Sequence, residues 1–286
     1  MKDFDGKVAV ITGAGRGIGR GIALRCAEEG MRIVLAGIGL ETLTRTSADL
    51  EELGATTLVV QTDVRKASDV DRLAQMAFST FGEVHLLVNS AGVGVYKSVW
   101  ESCLADWEWV MGVNFWGMLY GVRSFLPIMI EQSTQSHIVN LSSISGVLPG
   151  EGGLGSYFAS KHAVVALTET LYFELSQRAP HVKVSVYTPG YVDTDIADSE
   201  RNRPDELKND PSKYVVTNEE REWLESLSKE LAAGKTIEEA ADILFRGLQE
   251  DKLYIGIPGF REQHPSLVES IQNRAIDIIN ERNPSI

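Results

Sequence analysis

The sequence predicts a doubly wound α/β protein, a seven-stranded parallel sheet with helices on both faces, folded as a single domain over residues 1–286. Two observations carry this expectation. Short β-branched runs alternate with longer amphipathic stretches, the pattern of repeated strand–helix–strand units. The runs are apolar enough to be buried on both faces, as parallel strands are.

Taken in order, the strands are read at 8–12, 32–36, 57–61, 86–89, 137–141, 183–188 and 253–257. The helices between them are read at 17–29, 40–53, 67–81, 107–132 and 156–178. Two pieces break the rhythm. Residues 195–234 are charged and contain Pro204 and Pro211, and are read as a helical insertion serving as a substrate lid. Residues 265–286 are read as a terminal helix and tail. No repeat or low-complexity segment interrupts the chain.

The charge balance narrows the partners. With 40 acidic against 27 basic residues the net charge is −13, so no basic field recruits nucleic acid or an anionic membrane. Cys26 and Cys103 offer neither a disulfide framework nor metal-ligand spacing, which favours a reducing compartment and predicts that both are buried or inert. No metal is expected. The N-terminus enters the first strand without an apolar signal stretch and no later run approaches membrane-spanning length, so a cytoplasmic protein is expected.

Tyr157 and Lys161 lie four residues apart in a predicted helix, so their side chains share a face. An ammonium beside a phenol favours phenolate, moving a group with a reference pKa of about 10 towards proton exchange at neutral pH. By itself the spacing is also that of an ordinary helical surface. A cofactor site would give it a task. The first strand runs into Gly13-Ala14-Gly15-Arg16-Gly17-Ile18-Gly19 and then directly into a helix. Glycines permit close backbone approach, and a helix N-terminus offers unpaired N–H groups to a pyrophosphate. A tight structural turn is the alternative, but the strand–turn–helix context is the one a dinucleotide site requires.

The variant spacing Gly-x-x-x-Gly-x-Gly, followed by Asn89-Ser90-Ala91-Gly92 and Tyr157-x-x-x-Lys161, resembles the short-chain dehydrogenase/reductase family of the Tyr-x-x-x-Lys type. The resemblance extends through Asp63-Val64, Asn114, Ser143 and Pro189-Gly190-Tyr191-Val192-Asp193-Thr194, and so covers nearly the whole chain. It implies a Rossmann-like fold and an NAD(P)-dependent enzyme acting on CH–OH and C=O groups. Tyr157 is then the general acid in reduction and the base in oxidation. Lys161 holds down the tyrosine pKa and bonds the nicotinamide ribose, and Ser143, rather than Ser142, donates to the substrate oxygen. Asn114 keeps a helix open locally and binds a water that relays protons from Lys161. Gly13, Gly15, Arg16, Gly17, Ile18, Gly19, Gly37, Asp63, Val64, Asn89, Ala91 and Gly92 are implied at the cofactor. So are Tyr157, Lys161, Pro189 and Gly190, with Val192 and Thr194 at the carboxamide.

The tip of the second strand departs from the pattern of NAD-preferring members, which place an aspartate where this chain has Gly37. No carboxylate there repels a 2′-phosphate, and Arg16 stands where similar reductases hold that phosphate. NADP is therefore expected in preference to NAD. Arg16 as a solvated loop residue and Glu41 as a partner of the ribose hydroxyls remain alternatives. The expected substrate walls, Val95, Tyr96, Leu148, Leu154 and Tyr191, together with Val93, are mainly apolar and favour a bulky ketone or secondary alcohol. Imine reduction, epimerisation or dehydration on the same site, or a catalytically silent nucleotide-binding interaction protein, are the competing readings. Trp109 and Trp116 are read as core or subunit contacts rather than substrate groups. The helices at 107–132 and 156–178 carry apolar residues on more than one face, which predicts a homodimer or homotetramer.

Overall fold

The computed structural model describes residues 1–210, 217–256 and 265–280. Its strands are β1 (Val8–Thr12), β2 (Arg32–Gly37), β3 (Thr57–Gln61), β4 (Leu86–Asn89), β5 (Ser136–Leu141), β6 (Val182–Tyr187) and β7 (Tyr254–Ile255). They form one seven-stranded sheet in the order β3-β2-β1-β4-β5-β6-β7, with every pairing parallel. The expected strand at 253–257 is shorter than read, and Ile257 lies outside the described residues.

Alternation along each strand builds two cores. On β1, Ala9 and Ile11 face one side of the sheet while Val8 and Val10 face the other, and β2 divides Ile33 and Leu35 from Val34 and Ala36 in the same way. The first side is covered by α1 (Gly17–Glu28), α2 (Leu40–Glu52) and α8 (Ile237–Gln249). The second is covered by α3 (Ala67–Phe81), α5 (Gly117–Glu131) and α6 (Gly155–Arg178). Ile11 and Leu35 are fully buried, and truncating either to Ala should cost about 2–5 kcal/mol.

The single helix expected over 107–132 is instead three pieces. It consists of α4 (Leu104–Met111), a π-helical turn at Gly112–Trp116, and α5. The break sits at Asn114, whose side chain turns inward to bond the backbone of Val93. The insertion begins with short 3₁₀ segments at Asp195–Asn202 and Asp205–Leu207 and ends in α7 (Asn218–Ala232). Its Pro211 falls among residues 211–216, outside the described residues. The C-terminal helix α9 is Pro265–Ile279, and the tail expected at 281–286 also lies outside them.

Cys26 is buried, where desolvation pushes its thiol up, whereas Cys103 is exposed. Among the described residues no helix is long and apolar enough to cross a membrane. The strand order reverses between β1 and β4, and their carboxyl ends open a crevice there.

Candidate active site

The turn leaving β1 lies at that crevice, and its glycines are sterically required. Gly13 has φ +69°, and a Cβ on it would stand 2.9 Å from the Ala91 Cα. A Cβ on Gly19 would stand 2.4 Å from the Gly13 carbonyl oxygen. Thr12 Oγ1 accepts from the backbone N–H of Ser90 at 3.0 Å and of Ala91 at 3.2 Å, tying this turn to the one after β4. No side chain caps α1, so its first N–H groups face the cavity. A bare helix N-terminus in a cradle that any side chain would fill fits a dinucleotide pyrophosphate.

A continuous cavity of about 790 Å³ runs from this cradle to α6. Tyr157 and Lys161 face into it from α6, and Ser143 from the loop after β5. Ser143 Oγ accepts from the Ser145 backbone and also hydrogen-bonds Tyr157. Ser142 also lines the cavity, but its hydroxyl is committed to the Lys161 carbonyl at 2.8 Å, which leaves Ser143 as the serine bonded to Tyr157. Asn114 Nδ2 donates to the Val93 carbonyl and to Ser160 Oγ, each at 3.0 Å, while its Oδ1 accepts from the Val93 N–H at 2.9 Å.

Burial dominates the electrostatics around the Tyr157 phenol. Burial pushes that phenol up, opposed by the hydrogen bond with Ser143. Burial also pulls the Lys161 ammonium down to about 8. Lys161 Nζ lies 5.6 Å from the Tyr157 ring centre and donates to the Leu141 carbonyl at 3.0 Å. Desolvation therefore moves the two groups in opposite directions, an effect that helical spacing alone does not reveal.

The cavity gathers most of the residues singled out from the sequence. Gly13, Gly15, Arg16, Gly17, Ile18, Gly19, Gly37, Asp63, Val64, Ala91 and Gly92 line its cofactor end, with Pro189, Gly190, Val192 and Thr194 beside Lys161. Tyr96, Leu148, Leu154 and Tyr191 line the other end. Asn89, Asn114 and Val95 are not lining residues. Asn89 is buried and donates to Asn140 Oδ1, and Val95 packs into a small core with Val93, Trp109 and Val110. Asp63 lines the wall, but its carboxylate is clamped by Arg65 at 2.7 Å. Burial alone would raise its pKa, and the Arg65 and Lys66 contacts outweigh that.

Arg16, expected to await a phosphate, is half exposed and paired with Asp195 Oδ2 at 3.2 Å. The sequence reading missed Trp223, Leu227 and Leu231 of α7, which complete the apolar wall. Their i, i+4, i+8 spacing in an otherwise charged helix was the available signal. Trp109, assigned to the core or a subunit contact, is buried yet also lines the cavity.

A dinucleotide cradle continuous with a buried Ser–Tyr–Lys cluster defines a nicotinamide-dependent oxidoreductase. Comparison with known proteins agrees. The short chain dehydrogenase profile matches residues 7–205. The chain is 32% identical to a CLA biosynthesis dehydrogenase/reductase of Lactiplantibacillus plantarum over 286 residues, covering 100% of this chain and 98% of that protein. It is also 32% identical to a C alpha-dehydrogenase of a Sphingobium species, covering 95% of this chain and 88% of the other. A crystal structure of a short chain dehydrogenase/reductase from Burkholderia phymatum in complex with NAD superposes with a TM-score of 0.92 at 42% identity, covering 100% of this chain and 99% of that one. The chain belongs to the short-chain dehydrogenase/reductase family and is an NAD(P)-dependent oxidoreductase.

Proposed function

We propose that the enzyme interconverts a bulky, mainly apolar ketone and its secondary alcohol, with NADP(H) preferred and NAD(H) also accepted. The supporting observation is the single cavity that joins the Gly13–Gly19 cradle, the Ser143, Tyr157 and Lys161 cluster, and an apolar wall of Tyr96, Leu148, Leu154, Trp223 and Leu227. The nicotinamide supplies or takes the hydride. In reduction, the Tyr157 hydroxyl gives its proton to the carbonyl oxygen while Ser143 donates a hydrogen bond to the same atom, so that developing alkoxide charge meets prearranged donors. Lys161 orients the ribose and supports the charge left on Tyr157. Asn114, bonded to Val93 and Ser160, holds the π-helical turn behind Lys161, where its main chain serves the water that returns the proton.

The cofactor preference rests on Gly37 and Ile38 at the tip of β2, which offer no carboxylate to a ribose 2′-hydroxyl, and on Arg16 beside them in the cavity. Asp195 competes for that guanidinium, and the Burkholderia relative was captured with NAD, so the preference is partial. Residues of the 195–202 segment and of α7 border the substrate end, with α7 as the closing element. A cytoplasmic homodimer or homotetramer is the expected setting.

The experiment is oxidation of NADPH and NADH, followed by absorbance, against aryl ketones, steroids, diketones and sugars. Turnover concentrated among bulky ketones and abolished by Tyr157→Phe, with cofactor binding retained, is the expected result. Preference for sugars, or strong residual activity in Tyr157→Phe, overturns the reading.

A further inference from the structure

Tyr96 lies on the segment that leaves the β4 turn; it is half-buried in the cavity lining, and its hydroxyl has no hydrogen-bond partner among the described residues. Tyr187 donates to the Ala240 carbonyl at 2.9 Å, Tyr157 bonds Ser143, and Tyr191 bonds Glu230. A phenol O–H that opens into a binding cavity without a protein acceptor is free to donate to an oxygen brought by the ligand.

The ring is held firmly. It packs on Trp223 of α7 with centroids 4.6 Å apart and an interplanar angle of 41°. The next residue, Lys97, forms an ion pair with Glu220 at 3.6 Å in the first turn of that same helix. A Cβ on Gly94 would stand 3.0 Å from the Tyr96 hydroxyl oxygen, so the backbone folds closely around it. Tyr96 and Tyr157 line the same cavity and are near enough for charge on Tyr157 to act on the Tyr96 phenol. Glu151 and Glu230 make the far rim acidic; burial first, then the bond to Glu230 and the charge of both carboxylates, push the Tyr191 phenol up to about 12. That rim disfavours a carboxylate and leaves a neutral oxygen as the acceptor that suits Tyr96.

We propose that Tyr96 determines specificity by donating a hydrogen bond to a second, neutral oxygen of the substrate. The enzyme thereby selects bulky ketones that carry a hydroxyl, ether or carbonyl oxygen close to the reacting carbonyl, with the flat apolar part of the molecule along the Tyr96–Trp223 pair. This rests on the bulky-ketone reading above and adds the second oxygen to it.

The test compares kcat/KM for acetophenone and 2-hydroxyacetophenone in the wild type and in Tyr96→Phe, which keeps the ring on Trp223. The wild type should favour the hydroxyketone by about tenfold, the scale of one neutral hydrogen bond. Tyr96→Phe should erase that advantage while acetophenone changes by no more than about threefold, within the scatter of such contributions. Equal losses on both ketones, or no change on either, overturn the role of Tyr96 and leave the bulky-ketone reading standing. Failure of the wild type to turn over either ketone, with activity on sugars instead, overturns both.

Discussion

Asp106 and Arg203 form an ion pair 2.6 Å apart whose side chains are 0% and 1% exposed. Asp106 belongs to α4, whereas Arg203 lies in the first half of the insertion. The Arg203 guanidinium stacks 4.6 Å above the Trp109 ring, and Trp109 lines the cavity. Asn209 adds a bond to Asp106 at 2.9 Å. Arg203 and Asn209 thus pin the first half of the insertion to α4 at the cavity wall.

Removing one partner of this pair strands a buried charge. Arg203→Ala should therefore cost about 3–5 kcal/mol, measured by urea denaturation, whereas an exposed pair would cost under about 1 kcal/mol. The pair also sets an acid limit. Burial would raise the Asp106 pKa, but bonds from Asn209, Arg203 and the Cys103 backbone carry it below the usual value of 3.8. A depressed folded-state pKa gives stability that is present above the unfolded value and lost as pH falls through the folded one. Asp106→Asn should lower stability at neutral pH and flatten the acid limb below about pH 4.

Lys161 gives a slope of the same sign in an alkaline window, but from a burial penalty rather than a stabilising partner. Burial lowers its pKa from 10.5 to about 8, so between those values the unfolded chain holds a proton that the folded chain has lost. Stability of the cofactor-free enzyme should rise with pH across this window, by up to about 2–3 kcal/mol. Lys161→Met should lack that rise while losing turnover. Parallel thermal-melt profiles for the two proteins between pH 7 and 10.5 would contradict this account.

Trp116, which closes the π-helical turn ahead of α5, and Tyr172 and Phe173 of α6 are 45%, 40% and 64% exposed. Trp116 stacks on Tyr120. Aromatic side chains left in water at this density suit a subunit contact. Phe173→Glu should shift sedimentation towards the monomer at micromolar concentration without unfolding the chain. An unchanged oligomer, or a wild type already monomeric, would refute this assignment.

What the sequence made legible is what repeats or is sterically forced. The seven strands followed from the alternation of apolar runs, and the cradle from glycines such as Gly13 and Gly19, where a Cβ would collide with backbone. Long-range partnerships were opaque. Nothing around Arg16 announces Asp195, which lies 179 residues away in the chain, and nothing around Tyr96 announces Trp223. The break at Asn114 was implied by the family pattern, whereas helical periodicity alone predicted a continuous helix. Burial was the other hidden variable: four-residue spacing brought Tyr157 and Lys161 onto one face but carried no information on how far desolvation moves both groups.

The contact between Arg16 and Asp195 offers the sharpest handle on the cofactor. Both side chains are more than half exposed, so the pair itself adds under about 1 kcal/mol to stability, and breaking it should leave folding unchanged. Its effect should fall on nucleotide choice. Arg16→Ala removes the base nearest the glycine turn and should raise KM for NADPH about tenfold, with little change for NADH, because only the former carries the 2′-phosphate. Asp195→Ala frees the guanidinium and removes a competing carboxylate, so KM for NADPH should fall severalfold while NADH is again nearly unaffected. Steady-state kinetics of both variants with each cofactor separate the alternatives. Equal effects on NADH and NADPH would show that Arg16 acts on the shared pyrophosphate, and the preference would then have to come from Gly37 and Ile38 alone.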